Sequence, residues 1–209
     1  MVEATEDYPR HDYVMEKAGL DKECKWSLAD PTQKCPHIME VRDHKKLIKD
    51  SILDCVGNTP LIRINNIAKA ENIECELLVK AEFLNPGGSV KDRIGRRMVL
   101  DAEVSGKIKK GDILIEPTSG NTGVGLSMAA AARGYKMIIT MPEKMSQEKQ
   151  DALKGLGAAV VRTPTTLPFD HRYCHIGIAI ELSRTLPNAH CLDQYKATGN
   201  PMAHYQETG

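Results

Sequence analysis

The chain has 209 residues, of which 41% are hydrophobic and 27% are charged, a composition typical of a globular protein with one domain or two small lobes. Its 28 basic and 28 acidic side chains cancel to a formal net charge of zero, which gives no electrostatic basis for binding nucleic acid or an anionic membrane. The longest apolar stretches are too short to span a bilayer, and the acidic segment 1–7 lacks the apolar core of a signal peptide. We therefore expect a cytoplasmic protein with no membrane or nucleic-acid partner.

The cysteines favour reduced thiols over a disulfide framework. The chain is long for a disulfide-stapled scaffold, and no two cysteines form a Cys-x-x-Cys pair, so neither a thioredoxin-like site nor a zinc ribbon is indicated. The cysteines are Cys24, Cys35, Cys55, Cys75, Cys174 and Cys191.

The predicted elements begin after a polar arm. Residues 1–42 contain Pro9, Pro31 and Pro36 and show little periodicity, so we predict an irregular segment there. From about residue 43 the pattern becomes regular. Apolar residues at helical spacing mark 45–53, strands are predicted over 59–64 and 75–83, and a helix is predicted to run from a cap at Ser89 to about Val104.

Beyond Gly106, short apolar strands alternate with helices, and this alternation predicts βαβ crossovers, a parallel sheet and an α/β fold. Ligands of such sheets bind at the carboxyl ends of the strands, in the loops that lead into helices. The predicted strands are 113–115, 136–141, 158–162 and 190–192, and the predicted helices are 121–133, 146–156 and 173–184.

A predicted strand ends and a helix begins in the segment Asn85-Pro86-Gly87-Gly88-Ser89-Val90-Lys91-Asp92-Arg93. Its glycines let the backbone approach a ligand closely, and Lys91 lies in the first helical turn. The helix dipole disfavours a cationic amine there, which favours the neutral amine that attacks a carbonyl to form a Schiff base. The alternative is an ordinary solvated lysine at a helix start. A nucleotide phosphate loop is excluded, because Gly-x-x-x-x-Gly-Lys-Ser/Thr is absent.

A second loop, 116–123, follows a predicted strand and precedes an alanine-rich helix. Backbone N–H groups and hydroxyls at a helix N-terminus form a binding site for an anion such as a carboxylate. The polar residues that this loop offers are Thr118, Ser119, Asn121 and Thr122. Its glycines do not follow the Gly-x-Gly-x-x-Gly pattern of a dinucleotide site.

Together, the segments 85–93, 116–125 and 141–146 resemble the cysteine synthase and cystathionine β-synthase family. These are fold-type II pyridoxal-phosphate enzymes, related to the tryptophan synthase β chain, and the resemblance runs from about residue 52 to residue 209. It implies a Schiff base between Lys91 and pyridoxal 5'-phosphate and a hydrogen bond from Asn121 to the pyridine hydroxyl. It also implies that the substrate carboxylate is held by Thr118, Ser119, Asn121 and Thr122.

Two further features resemble the cystathionine β-synthase branch of this family. The first is Leu192-Asp193-Gln194-Tyr195 followed by Asn200-Pro201, in which Tyr195 matches an active-site tyrosine. Cysteine synthases usually have phenylalanine there. The resemblance implies that Gln194 and Tyr195 line the homocysteine side of the site. An O-acetylserine sulfhydrylase, which uses sulfide in the same chemistry, is the alternative.

The second feature is the N-terminal arm, which resembles the haem-binding segment of animal members. The resemblance implies that Cys24 and His37 bind haem b as axial ligands, and thiolate and imidazole both ligate iron well. Glu23 stands where a basic residue often meets a haem propionate, and Lys196 could supply such a contact instead. The alternatives are an irregular arm with incidental Cys and His, ligation through Cys35, or a zinc site formed by Cys24, Cys35, His37 and His44.

The resemblance implies a β-replacement in which L-serine and L-homocysteine give L-cystathionine and water, with Lys91 as the general base at Cα. Cysteine in place of serine would release hydrogen sulfide. A homodimer or higher homo-oligomer is also implied.

The resemblance divides the chain into a haem-binding arm, 1–42, and the N-terminal part of a catalytic domain, 43–209, whose small lobe spans about 116–200. The family's phosphate loop, the partner of the pyridine nitrogen and the regulatory domain that binds S-adenosylmethionine would follow residue 209. We therefore expect a truncated form with an incomplete large lobe, in which the strands near Leu61 and Leu78 expose edges. A catalytically inactive haem-binding fragment is the alternative to an enzyme.

Overall fold

The computed structural model describes residues 9–12, 30, 32–44, 46–118 and 120–209. The described part of the arm is irregular, as the sequence predicts. A two-stranded antiparallel sheet follows, formed by β1 (Leu61–Arg63) and β2 (Leu78–Lys80), with the short helix α1 (Asn65–Ala70) between them. The next element is the long helix α2 (Lys91–Val104).

The rest of the chain alternates strands with helices, and its elements are β3 (Ile113–Pro117), α3 (Asn121–Arg133), β4 (Lys136–Pro142), α4 (Gln147–Gly155), β5 (Ala159–Thr163), α5 (His175–Thr185), β6 (Ala189–Cys191), α6 (Gly199–Ala203) and a π-helical turn (His204–Thr208). The four strands form one parallel sheet in the order β5-β4-β3-β6. This confirms the predicted α/β fold with a parallel sheet. Because β4 and β6 lie on opposite sides of β3, the loops that leave β3 and β6 border a crevice at the carboxyl edge of the sheet.

The core lies between this sheet and its helices. Leu114 and Ile115 of β3, Ile139 of β4 and Leu126 of α3 are fully buried. Adjacent residues of β3 are both buried because helices cover both faces of a parallel sheet, so such a strand is apolar throughout rather than alternating.

Helices α2 and α3 cross at two glycines. A Cβ atom placed on Gly95 would lie 2.5 Å from the carbonyl carbon of Gly125, and one placed on Gly125 would lie 2.7 Å from the carbonyl oxygen of Lys91. These distances are well below normal van der Waals separation. Only glycine at both positions allows so close an approach, and the crossing places the start of α2 against the N-terminal half of α3.

Most of the predicted elements are confirmed, several with shifts of one or two residues at their ends. The helix predicted over 121–133 has these bounds, and Gly134 ends it in the left-handed conformation with φ 82°. The sequence did not predict α1, α6 or the π-helical turn after α6, since none of them is long enough to show a clear period.

The helical spacing over 45–53 was misleading. In the described part of this segment, only a 3₁₀ turn, Ile52–Cys55, forms at the end. Leu47 and Ile48 are exposed, so an apolar helical face there would gain no burial energy, which is the main source of helix stability in proteins. The strand predicted over 75–83 is also shorter in the structure, where β2 is followed by a 3₁₀ turn, Glu82–Leu84.

Among the described residues, the first two strands have exposed outer edges, as expected, and they also expose apolar side chains. In the described part of the chain, β1 and β2 pair only with each other, and the exposed side chains are Leu61, Ile62, Leu78 and Val79. The cysteines that the structure describes are all free thiols. No helix among the described residues is long and apolar enough to cross a membrane.

Candidate functional site

Lys91 is the first residue of α2, and side chains hold the loop before it. Oδ1 of Asn85 accepts a hydrogen bond from the backbone N–H of Gly57 at 2.7 Å, and its Nδ2 donates to the carbonyl of Ser89 at 3.0 Å. The hydroxyl of Ser89 accepts a hydrogen bond from the N–H of Lys91 at 3.1 Å. Ser89 therefore bonds the start of the helix as expected, although Val90 is the N-cap residue. These contacts fix the position of the Lys91 backbone.

Two acidic side chains brace the same turn. Asp92 is fully buried, its Oδ2 accepts a hydrogen bond from the N–H of Gly87 at 2.6 Å, and burial raises its pKa. Arg93 makes a bidentate ion pair with Glu82 at 2.8 and 2.7 Å. This guanidinium lowers the pKa of Glu82 to about 2. The charge-assisted pair anchors the first turn of α2 to the turn that contains Glu82.

The second predicted loop lies between β3 and α3. Thr118 is buried, and its N–H donates to the carbonyl of Thr140 at 3.1 Å. Among the described residues, no side chain caps α3 at Gly120, and a Cβ atom on Gly120 would meet nothing within 4 Å. The N–H groups at the positive end of the α3 dipole thus receive no capping bond from a described side chain, an arrangement that favours an anion. Asn121 is exposed at this helix start, and Ser119 lies outside the described residues.

A turn after β6 completes the crevice. The hydroxyl of Thr122 donates a hydrogen bond to Oε1 of Gln194 at 2.9 Å, and the carbonyl of Gln194 accepts one from Nδ2 of Asn200 at 2.9 Å. Tyr195 is 39% exposed on this turn. Burial raises the pKa of Tyr195, so its hydroxyl stays protonated and can donate a hydrogen bond.

The structure thus links the predicted site residues through three neighbouring elements. Lys91 lies at the start of α2, which crosses α3, and Asn121 and Thr122 form the first turn of α3. The hydrogen bond between Thr122 and Gln194 joins α3 to the turn after β6. The lysine segment and both predicted substrate loops therefore border one region.

Of the predicted haem and zinc ligands, the structure describes Cys35, His37 and His44. Cys24 lies outside the described residues. In the part of the chain that the structure describes, no three His, Cys, Asp or Glu side chains could together hold a metal ion, so Cys35, His37 and His44 do not form a zinc cluster. A cavity of about 380 Å³ contains His37 in its lining, together with Arg97, Met98, Lys107, Leu192 and Met202.

Two residues near the site were not predicted from the sequence. Glu116 is fully buried, and its carboxylate oxygens accept hydrogen bonds from the N–H groups of Asp193 at 2.9 Å and Gln194 at 3.0 Å. An acid near the end of an otherwise apolar strand is a signal that could have identified it, because buried acids require partners. His204 is the second, and no local pattern marks it. Burial, followed by the charge of Lys91, lowers the pKa of His204.

The sequence matches the family described as "Pyridoxal-phosphate dependent enzyme" over residues 52–209. It is 62% identical over 164 residues to cystathionine beta-synthase of Dictyostelium discoideum, with 78% of this chain and 32% of that protein covered. Cystathionine beta-synthase of Rattus norvegicus is 54% identical over 185 residues, with 88% and 33% covered. A probable cysteine synthase of Bacillus subtilis is 46% identical over 155 residues, with 74% and 48% covered. The chain therefore spans about a third of these cystathionine beta-synthases.

Solved structures of related enzymes share the fold. A hydrogen sulfide-producing enzyme from Fusobacterium nucleatum aligns with a TM-score of 0.70 and 38% identity over 77% of this chain and 51% of that chain. O-ureido-L-serine synthase aligns with a TM-score of 0.70 and 37% identity over 77% and 49% of the two chains. The family match extends over most of the sequence and contains Lys91 and both loops. The chain belongs to the pyridoxal-phosphate dependent enzyme family and has the fold-type II architecture.

Proposed function

We propose that this chain forms part of a pyridoxal-phosphate-dependent lyase that converts L-serine and L-homocysteine into L-cystathionine and water. The observation that carries the proposal is the crossing of α2 and α3 at Gly95 and Gly125, which holds Lys91 close to the anion-binding start of α3. Similarity to proteins named cystathionine beta-synthase supports the choice of reaction.

The residues present fit the cofactor. Its aldehyde requires an amine, which Lys91 supplies, and Asn121 offers an amide to the pyridine hydroxyl. A Cβ atom on Gly88 or on Gly120 would meet nothing within 4 Å, so there is free space beside both glycines. When bound, pyridoxal phosphate supplies the electron sink that acidifies the Cα proton of an amino acid.

The residues of the chain would perform the remaining steps. The loop 118–122 and the N–H groups at the start of α3 would bind the carboxylate of serine. The amine of Lys91 would take the Cα proton and later return it, while the serine hydroxyl leaves with a proton as water. Gln194 and Tyr195 would border the position from which the homocysteine thiol adds to Cβ.

Lys91→Ala tests this assignment in the enzyme that carries this sequence, reconstituted with pyridoxal phosphate. We expect loss of the visible absorbance of the lysine-bound cofactor, loss of borohydride-trapped cofactor on the lysine peptide, and loss of cystathionine formation. Lys149→Ala is the matched control, because Lys149 is exposed on α4 and should keep all three signals. Turnover of Lys91→Ala near the wild-type rate would refute the assignment.

A cysteine synthase or O-acetylserine sulfhydrylase is the second candidate, and the 46% identity to a probable cysteine synthase favours it. Both reactions use the same loops and differ in the thiol or sulfide that adds to Cβ. Product analysis separates them: cystathionine from serine plus homocysteine supports the first proposal, and cysteine from O-acetylserine plus sulfide supports the second.

We propose in addition that the arm binds haem b through Cys24 and His37. The cavity beside His37 supports this proposal, since its lining combines apolar Met98 and Leu192 with the basic side chain of Lys107, a residue type that can meet a propionate. Haem supplies a coordinated iron there. Loss of the Soret band in both Cys24→Ser and His37→Ala would support this ligation. A Soret band without the lysine-bound cofactor band would instead favour a haem-binding fragment without activity.

The domain division, the oligomeric state and the cellular location are also proposed. We propose an arm over 1–42 and a catalytic part over 43–209 with a small lobe at about 116–200, which limited proteolysis tests through the cleavage sites. A homo-oligomer is proposed from the resemblance and is tested by light scattering. A cytoplasmic location agrees with the free thiols and is tested by cell fractionation.

A further inference from the structure

The geometry points to Glu116 as a positioning residue that holds the turn carrying Gln194 and Tyr195 in place for the thiol substrate. The inference rests on the proposed function for its substrate, but its structural part stands on contacts within this chain. Glu116 itself does not border the crevice, since its side chain is fully buried.

The first observation is the set of hydrogen bonds that the two side-chain oxygens of Glu116 accept. Its Oε2 accepts a hydrogen bond from the N–H of Asp193 at 2.9 Å, and its Oε1 accepts one from the N–H of Gln194 at 3.0 Å. Both oxygens are therefore used on two consecutive backbone groups of one turn. A carboxylate can do this, whereas an amide offers one oxygen and would turn its NH₂ group toward the other N–H donor.

The second observation is the left-handed backbone of this turn. Asp193 has φ 59°, which few residues other than glycine adopt, although aspartate does so more readily than most. Its Oδ1 accepts hydrogen bonds from the N–H groups of Tyr195 at 3.0 Å and Lys196 at 3.2 Å, which tightens the turn from the outside. The bonds from Glu116 hold the same turn from the core side.

The third observation is that Glu116 connects the two substrate loops. It lies on β3, two positions before Thr118, and the turn that it holds follows β6, the neighbour of β3. Thr122 bonds the side chain of Gln194 from the opposite side at 2.9 Å. Glu116 thus fixes the distance between the loop for the serine carboxylate and the turn assigned to homocysteine.

The test compares Glu116→Gln and Glu116→Asp with wild type in the enzyme reconstituted with pyridoxal phosphate. Above about pH 8, where Glu116 is ionised, we expect Glu116→Gln to raise the KM for homocysteine by about tenfold or more, the factor that corresponds to one lost charge-assisted hydrogen bond. The KM for serine and the cofactor absorbance should change by less than about twofold. Glu116→Asp keeps both acceptor oxygens and should fall between wild type and Glu116→Gln.

Asp112→Asn is the matched control. Asp112 Oδ2 lies 3.0 Å from Nε2 of His190, so it joins the same two strands at the amino edge of the sheet. A purely structural role of Glu116 would make its variants behave like Asp112→Asn, with the stability lowered and no selective change in the homocysteine KM. That outcome would overturn the inference.

Hydrogen exchange gives a readout that does not depend on catalysis. The amides of Asp193 and Gln194 should exchange about tenfold faster or more in Glu116→Gln, and unchanged rates would overturn the inference. If Glu116→Gln does not fold, Glu116→Asp decides, since an unchanged homocysteine KM together with unchanged exchange would also overturn it. A wild-type enzyme that forms no cystathionine would refute the proposed function, while the exchange measurement would still test the contact.

Discussion

Replacing Gly95 by alanine tests whether the crossing of α2 and α3 requires a residue without a side chain. The added methyl group would lie 2.5 Å from the carbonyl carbon of Gly125 and 2.7 Å from the nitrogen of Leu126. Both atoms belong to the backbone of a buried helix rather than to the flexible end of a side chain. The clash can therefore be relieved only if the two helices move apart.

The expected change in the free energy of unfolding is the difference between a gain in helix propensity and a cost of overpacking. Alanine is about 1 kcal/mol better than glycine in a helix interior, whereas overpacking a core costs about 1–3 kcal/mol and sometimes more. Because both clashes at Gly95 involve backbone, we place the cost at the upper end and expect a net loss of about 2 kcal/mol. In a chain of this size, such a loss lowers Tm by roughly 4–8 °C.

Gly155→Ala in α4 is the matched control, since a Cβ atom there would meet nothing within 4 Å. It should raise the free energy of unfolding by about 0.5 kcal/mol through helix propensity and the unfolded state. Urea denaturation followed by circular dichroism measures both variants. If Gly95→Ala proved as stable as Gly155→Ala, the reasoning from close approach would be refuted.

Arg93→Ala leaves the partly buried Glu82 without its partner and should cost about 3–5 kcal/mol of unfolding free energy in urea denaturation. Arg93 lowers the pKa of Glu82 from 4.5 to about 2. The pair therefore contributes its full stability above about pH 4.5, and this contribution is lost as the pH falls toward 2. In Arg93→Ala, the free energy of unfolding should depend less on pH over this range. Burial raises the pKa of Glu116 from 4.5 to about 8, and the charge of Asp193 acts in the same direction. The folded state then holds this proton longer than the unfolded state, so stability should fall as the pH rises from about 4.5 to about 8. Cys191, whose pKa is raised to about 12, stays neutral in that window, whereas Asp92 and Asp101, whose pKa values burial also raises, add a slope of the same sign. The slope should therefore be smaller in Glu116→Gln, and a slope equal to that of the wild type would contradict the assignment.

The alternation of strands and helices from β3 to β6 could be predicted from the sequence because local periodicity encodes it. Each strand is a short apolar run, and each helix ends near a glycine or another break in the pattern. The helix over 121–133 was predicted with its bounds because Gly134 takes a left-handed conformation that stops it. Helical spacing of apolar residues did not predict the structure over 45–53, because the apolar side chains there have no surface to pack against.

The candidate site was predicted from the resemblance of these segments to a known family, because Lys91 after two glycines and the hydroxyl-rich loop at the start of α3 are each ambiguous when taken alone. The sequence alone thus indicated that this chain belongs to a family that uses pyridoxal phosphate.

Only the tertiary structure decided how these parts meet. Glu116 bonds Asp193 across 77 positions of sequence, and Thr122 bonds Gln194 across 72. Both contacts exist because β6 lies beside β3 in the sheet. Strand order depends on the packing of the whole chain, and no local period encodes it. The buried acid that links the two loops therefore became visible only in the folded protein.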